Sequence, residues 1–495
     1  MAHDGGGLLS AAHRQLSIAV YLTIALIAFE GTSVAAALPE IAADLGDVAV
    51  LPWVITGFLV SLGLSTVLAG PVVDAIGSRR LFNYSVVGFA ATGVAAGLVG
   101  DVWSLVVIRL LQGSASGFLF ASAIAAVNLG YPGSLTGRAF AANSTIWGIM
   151  GAAAPGIAAL LLEVASWRWI FFINAPLGAI AFVAGRTTMP ERLPDAEPLH
   201  IDAVGAVLAG MFTITTILAV DELGPASLVY AAVAAVAVVA YARHAKRVAR
   251  PLVRLEHIAD QPYLSLALVP SAMLAAAFCV NVYVTLYTSA GRGWSIGAAA
   301  WSVLFFTIGW TIGANVSSRM LDRRSAVFVM AFGLGTSIIG FALTAVGAVF
   351  DAPIWVVFTG LTLVGVGVGL ATNASVTELR SATPKSSIGR ASAANQFARS
   401  QGFAVGAAAG GAVLLFVVDR QLGSVEAVRD LLAGDDATGD LADSAAIADA
   451  VRAGFAAASV VALVVVCAGI EPMRRLARRS RREHASDAVD RSIRR

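Results

Sequence analysis

The sequence predicts an all-α polytopic membrane protein of fourteen transmembrane helices: two six-helix bundles with two linker helices inserted between them. Three observations carry that expectation. The 495 residues are 58% hydrophobic and only 13% charged, against about a quarter charged in an ordinary soluble domain. Apolar runs recur along the whole chain, many near the roughly 20 helical residues that cross a bilayer core about 30 Å thick. Basic residues gather on alternate loops.

The runs cover residues 16–38, 53–73, 81–99, 103–129, 139–162, 170–184, 203–220, 227–242, 263–289, 296–316, 326–350, 354–377, 391–418 and 452–470. The sixth is the shortest and holds Asn174 and Pro176. Glycine is frequent in the runs, as where membrane helices pack closely. The first run is long, holds Glu30 and stops at Pro39 with no A-x-A site after it, so it reads as an uncleaved span.

Loop charge sets the orientation. With the N-terminus inside, the cytoplasmic side receives Arg14, Arg79, Arg80, Arg138, Arg186 and Arg192, then Arg243, Lys246, Arg247, Arg250 and Arg254. Arg319, Arg323, Arg324, Arg380, Lys385, Arg390 and the arginine-rich tail from Arg474 follow on the same side. Only Arg168, Arg292, Arg420, Arg429 and Arg452 fall outside, with Arg109 and Arg399 left within spans. This is the positive-inside distribution, with an even span number and both termini cytoplasmic. The acidic stretch 419–451 reads as a solvated external loop. The tail reads as an orientation signal or as a contact for anionic headgroups.

Gly70–Arg80, at the end of the second span, is G-P-V-V-D-A-I-G-S-R-R, and Gly313–Arg324, at the end of the tenth, is G-A-N-V-S-S-R-M-L-D-R-R. Two such turns at corresponding places point to a repeat of two six-span halves, and repeats of this kind place a substrate path between them. The expected domains are residues 1–187, a linker 188–258 with two extra spans, residues 259–472 and a basic tail 473–495.

These segments resemble the major facilitator superfamily. Gly70, Asp74, Gly77, Arg79 and Arg80 match its loop signature G-x-x-x-D-R-x-G-R-R, with departures at Ala75 and Ser78. R-L-L-Q-G-S-A-S-G from Arg109 is similar to the R-x-x-Q-G pattern of the fourth span. W-G-I-M-G-A-A-A-P-G from Trp147 is similar to the antiporter signature G-x-x-x-G-P-x-x-G-G, through Gly148, Gly151 and Pro155, with Met150 and Ala154 standing where glycines belong. W-R-W-I-F-F-I-N-A-P-L-G from Trp167 resembles the start of the sixth span in the fourteen-span drug:proton antiporter branch. F-E-G-T-S-V-A-A-A-L-P-E-I resembles the first span of that branch, with Glu30 in place of the usual Asp. The resemblance implies a major facilitator fold in a bacterial cytoplasmic (inner) membrane. It implies a proton-coupled antiporter of the multidrug-efflux, drug-resistance type, exporting small amphipathic or cationic compounds by alternating access. Export of lipids or metabolites, or proton symport, is the alternative on the same fold.

Glu30 is the first candidate for chemistry. A mid-span carboxyl is expensive when ionised and unpaired, and burial favours its neutral form, so it can carry a proton. Glu30 lies about 12 Å from the outer end of its span and Arg109 roughly 9 Å from the outer end of the fourth, which matches their depths. Arg109 is therefore the expected partner. A static ion pair that packs two helices is the competing reading. Asp74, Arg79 and Arg80, with Gly70 and Gly77, form an expected conformational latch, an Asp near a helix end meeting a neighbouring helix terminus. Gly148, Gly151 and Pro155 permit close packing and a kink. Trp147, Asn281, Tyr283, Tyr287, Asn395 and Arg399 are substrate-cavity candidates, with packing as the alternative for the aromatics and a rim pair with Glu378 as the alternative for Arg399.

An embedded enzyme would need clustered carboxylates, histidines or a nucleophile pair near one interface, and the chain has none. No histidine lies in an apolar run, so no intramembrane metal site is expected, nor is any cofactor. Cys279 and Cys467 both sit in apolar runs, so no disulfide is expected. The expected partners are a small amphipathic substrate, protons and membrane lipids, with no nucleic acid, and the chain is expected to be a monomer.

Overall fold

The computed structural model describes residues 7–45, 52–191, 202–221, 226–249, 251–294, 298–299, 301–384, 388–422 and 441–493, and among these there are helices and no strand. Parts of the expected linker and most of the acidic stretch 419–451 lie outside the described residues, as do Arg192, Arg250, Lys385 and Arg429. A lipid core offers no water to bond a free amide or carbonyl, so a spanning chain satisfies its backbone within helices.

The helices are α1 (Arg14–Leu45), α2 (Pro52–Ile76), α3 (Ser78–Gly97), α4 (Val102–Gly130), α5 (Gly133–Val164), α6 (Arg168–Phe172), α7 (Asn174–Gly185), α8 (Ala203–Asp221) and α9 (Ala226–Arg247). They continue as α10 (Glu256–Ala259), α11 (Tyr263–Asn281) and α12 (Val284–Leu286), which runs into a π-turn at Tyr287–Gly291. The last six are α13 (Val303–Leu321), α14 (Ala326–Val349), α15 (Ile354–Ala382), α16 (Ile388–Leu422), α17 (Leu441–Ala468) and α18 (Ile470–Ile493). Ten of the described helices are long and apolar enough to cross a membrane, or eleven if the bent α5 is one span; Ala203–Ala219 is a shorter apolar helix.

Local sequence explains the ends and breaks. Asp101 caps α4 by accepting from the Ser104 amide at 2.8 Å, and Ser325 caps α14 through the Phe328 amide at 3.3 Å. Gly77, between α2 and α3, has φ 83°, a backbone that a residue with a Cβ adopts only under strain. The α5 segments Leu135–Gly151 and Gly156–Val164 meet at 45°, at a break that contains Pro155. The sequence puts the first span's end at Pro39, but α1 runs on to Leu45. The sixth run is two helices, α6 and α7, meeting at Ile173 just before N-A-P.

The chain divides into two compact units. The first holds Met1–Met211, Ala237–Arg254 and Ser386–Phe397. One core cluster gathers Phe82, Phe89, Leu119 and Val127, and a second gathers Phe29, Ala96, Trp167 and Phe171. α2 and α4 touch backbone to backbone: a Cβ on Gly113 would overlap the Phe58 carbonyl, and one on Gly117 the Leu62 carbonyl. The second unit holds Phe212–Val236, Leu255–Lys385 and Ala398–Arg495. Its α13 and α15 are joined the same way, Gly309 and Gly313 against the carbonyls of Thr362 and Val366. Large apolar side chains such as Leu228, Phe350 and Trp355 lie on the outside, where hydrocarbon can cover them.

Candidate functional site

The first unit buries one ion pair completely. Glu30 of α1 and Arg109 of α4 meet at 2.7 Å, with side chains no more than 1% exposed. Arg109 Nη1 also donates to Gln112 Oε1 at 2.7 Å, and its Nε donates to the Val54 carbonyl of α2 at 3.0 Å. Gln112 Nε2 donates to Glu30 Oε1 at 2.9 Å, and the Asn174 amide group donates to the same oxygen. The Arg109 guanidinium carbon sits 4.1 Å from the Phe58 ring centre and 5.6 Å from that of Phe171, both rings buried. One carboxylate is thus held by donors from α4 and α7, and its arginine is anchored to α2.

The local sequence explains the arrangement. Arg109 and Gln112 are three residues apart and share a helix face. Glu30 is near the middle of α1. Asn174 begins α7, directly after the break at Ile173, which brings its side chain to the level of Glu30. Of these residues the sequence singles out Glu30 and Arg109. Gln112 appears there only within the R-x-x-Q-G match and Asn174 only in the shortest run, within W-R-W-I-F-F-I-N-A-P-L-G, and neither is given a role. The Asn174 Oδ1 is buried without a donor.

A second clasp holds the C-terminal end of α1 to the segment that begins α6. Asp44 of α1 accepts from Trp167 Nε1 at 3.1 Å and pairs with Arg168, which also donates to the Val99 carbonyl at 3.1 Å. Hydrogen bonds from Arg168 and then Trp167 hold the Asp44 carboxyl below the usual carboxylate range. The W-R-W-I-F-F segment therefore ties α1 and the turn after α3 to the start of α6.

The residues of the expected latch divide. Arg79 donates through Nε to the Met189 carbonyl at 2.8 Å and through Nη2 to the Thr187 carbonyl at 2.7 Å, and it pairs with Glu191. Its amide and the Ser78 hydroxyl both reach the Pro190 carbonyl, at 3.1 and 2.9 Å. Arg79 thus fastens the α2–α3 turn to the segment leaving α7. Gly70 is buried and Arg80 exposed. The Asp74 and Pro155 side chains lie outside the described residues.

The remaining candidates are scattered. Trp147 is exposed, and Gly148 and Gly151 are half-buried on α5. Asn281 is buried with its Oδ1 unpartnered. The Tyr283 hydroxyl donates to the Ala407 carbonyl at 2.9 Å. Tyr287 is fully buried, stacked on Phe455 at 4.1 Å, and its hydroxyl accepts from Arg292 at 2.7 Å. These two tyrosines are committed to packing and to internal hydrogen bonds. Asn395 is buried and Arg399 half-buried on α16. No Arg399–Glu378 pair occurs among the described residues. The described residues hold no cluster of potential metal ligands.

The linker has a polar knot that its sequence did not single out. Asp202 Oδ1 accepts from the Gly205 amide at 2.8 Å and meets His244 Nε2 at 2.7 Å, and Oδ2 accepts from the Leu252 amide at 3.0 Å. Burial opposes ionisation of Asp202, but the Gly205, His244 and Leu252 hydrogen bonds outweigh it and hold the carboxyl below its usual range.

Ten or eleven described helices long and apolar enough to cross a membrane, with a sealed carboxylate–arginine pair in the first unit, define a multi-pass helical membrane protein. The chain belongs to the Major Facilitator Superfamily, whose family model matches residues 20–407. It is 30% identical over 370 residues to the tetracenomycin C resistance and export protein of Streptomyces glaucescens, covering 72% of this chain and 66% of that one. It is 28% identical over 330 residues to the puromycin resistance protein of Streptomyces alboniger, covering 64% and 65%. The chain thus spans just under two thirds of the length of these two relatives. Among solved structures, the human organic anion transporter MFSD10 superposes with a TM-score of 0.63 over 93% of this chain and 99% of that one, at 15% identity, a likeness of fold alone.

Proposed function

We propose that this transporter is a proton-coupled antiporter exporting small amphipathic compounds across the bacterial cytoplasmic membrane by alternating access. In this reading the chain has fourteen spans, two six-helix bundles with a two-helix linker, and both termini in the cytoplasm. Each of the fourteen apolar runs overlaps a helix, and antibiotic export and resistance proteins are among the relatives.

The observation that carries the proposal is the enclosure of Glu30. Its carboxylate has an arginine, a glutamine and an asparagine as donors, and no water-facing surface. Protonating it strips Arg109 of its counter-charge inside a closed apolar shell, which is strongly destabilising. The shell must then rearrange to let water or another anion reach the guanidinium. Deprotonation toward the other side restores the pair and the closed arrangement. Phe58 and Phe171 wall the enclosure, so it fits a proton rather than a drug-sized cation, and the substrate binds elsewhere.

The test is proton release on substrate addition in proteoliposomes, with the anionic pyrene-1-sulfonate and the cationic ethidium each used as a probe. The native protein should release protons when a probe binds and should drive probe export under an imposed pH gradient. Glu30→Gln should do neither. Unaltered proton exchange by Glu30→Gln would remove the proposal.

A further inference from the structure

Several described arginines within or beside the spans meet an anion. Arg109 has Glu30, Arg168 has Asp44, and Arg292 and Arg452 share Asp351. Arg399 of α16 is different. Among the described residues it joins no carboxylate, and its Nε is buried without an acceptor. A guanidinium cannot shed its proton to become neutral, so it keeps its charge roughly 12 Å from the cytoplasmic end of its span.

Beside it lies a run of rings within the same unit. Phe403, one turn along α16 on the same face, is 37% exposed. Its ring centre is 3.5 Å from that of Phe278 on α11, with the planes at 31°. Phe278 meets Phe306 edge-on at 5.8 Å, and Phe306 meets Trp310 at 5.6 Å. The backbones beneath are in contact: Gly402 and Gly406 of α16 lie against Ser271 and Ala275 of α11. The rings therefore rest on a tightly joined pair of helices.

Resting on the transport reading above, we infer that Arg399 binds the acidic end, and Phe403, backed by the Phe278, Phe306 and Trp310 rings, the planar body, of an aromatic anionic substrate. The arginine supplies a planar fork of donors suited to a carboxylate, sulfonate or phenolate. The exposed Phe403 supplies a face on which a flat ring system stacks. A simple inorganic anion would use the arginine and ignore the rings, and a cation would be repelled. The acidic group of the transported molecule then neutralises the guanidinium when it arrives and exposes it again when it leaves.

The test uses the full chain in nanodiscs of zwitterionic lipid with two fluorescent probes of one shape and opposite charge, pyrene-1-sulfonate and (pyren-1-ylmethyl)trimethylammonium. The native protein should bind the sulfonate at least about tenfold more tightly than the ammonium. Arg399→Gln should erase that preference, weakening the sulfonate and strengthening the ammonium as the repulsion is removed. Phe403→Ala should weaken both probes by a similar factor, because it removes stacking and no charge. Should Arg399→Gln fail to fold, Phe403→Glu carries the test: a carboxylate one turn from Arg399 would occupy the guanidinium and abolish sulfonate binding. The inference is overturned if Arg399→Gln or, in that case, Phe403→Glu keeps the sulfonate preference. It is equally overturned if Arg399→Gln spares sulfonate binding but loses retention of phosphatidylglycerol, since the arginine would then hold a lipid phosphate. Proton-driven transport is read separately. Sulfonate preference without proton exchange sinks antiport alone, and proton exchange without sulfonate preference sinks this inference alone.

Discussion

Removing either member of the Glu30–Arg109 pair should be far more damaging than removing both. At 2.7 Å and an effective dielectric of about 20, two unit charges attract by about 6 kcal/mol. Much of that is offset by taking both groups out of solvent, and the pair as a whole contributes little net stability. Breaking it is another matter, because the surviving charge stays in an enclosure built of Phe58, Phe171 and α1. Glu30→Gln and Arg109→Gln should each lower the unfolding free energy by about 3–5 kcal/mol. The double substitution should be no worse than the milder single one, which gives a coupling energy of about 3 kcal/mol or more. The assay is equilibrium unfolding in mixed micelles with increasing dodecyl sulfate, followed by tryptophan fluorescence. Additive losses would refute the reasoning, since they would mean that each residue is stabilised by neighbours other than its partner.

Two further outcomes follow from the geometry. Arg79→Ala removes two carbonyl hydrogen bonds and the pair with Glu191 from a partly exposed side chain, a loss of about 1–2 kcal/mol after allowance for solvent screening. A cysteine placed at Met189, which is buried in the native protein, should then react with a water-soluble maleimide about tenfold faster, and an unchanged rate would rule out the fastening role. The fold favours ionised Asp202, so its contribution is complete above the ordinary carboxylate value of 3.8 and is lost as pH falls through the lower folded value. Hydrogen exchange at the Gly205 and Leu252 amides, corrected for intrinsic rate, should accelerate over that acid range in the native protein and be fast at every pH in Asp202→Ala.

The sequence exposes the apolar helices because a bilayer dictates both their length and their lack of charge. The same rule makes Glu30 and Arg109 conspicuous, and matching their depths along two helices is enough to pair them on paper. Gln112 could have been added from its spacing, since i+3 from Arg109 puts it on the same face. Asn174 could not. Its contact depends on the interruption at Ile173, and nothing in I-N-A-P says which way a broken helix turns its first polar side chain. The tyrosines of the ninth run show the opposite limit. Sequence alone leaves both a surface role and a packing role open to Tyr283 and Tyr287, and only the Ala407 carbonyl, Arg292 and Phe455 decide between them. The Asp202 knot escaped because its acceptors are filled by two backbone amides, which leave no pattern in side-chain chemistry.

The seams in which glycine sets one helix backbone against the next have a mechanical consequence. At Gly113 and Gly117 between α2 and α4, and at Gly309 and Gly313 between α13 and α15, the facing backbones meet with no room for a side chain on the glycine. Such a pair responds to load as one laminated beam, stiffer in bending than two separate rods. In a thinner or thicker bilayer the beam can tilt, but its two plies cannot spread without opening voids along their whole contact. Lipid thickness is then felt as an angle and not as a spacing.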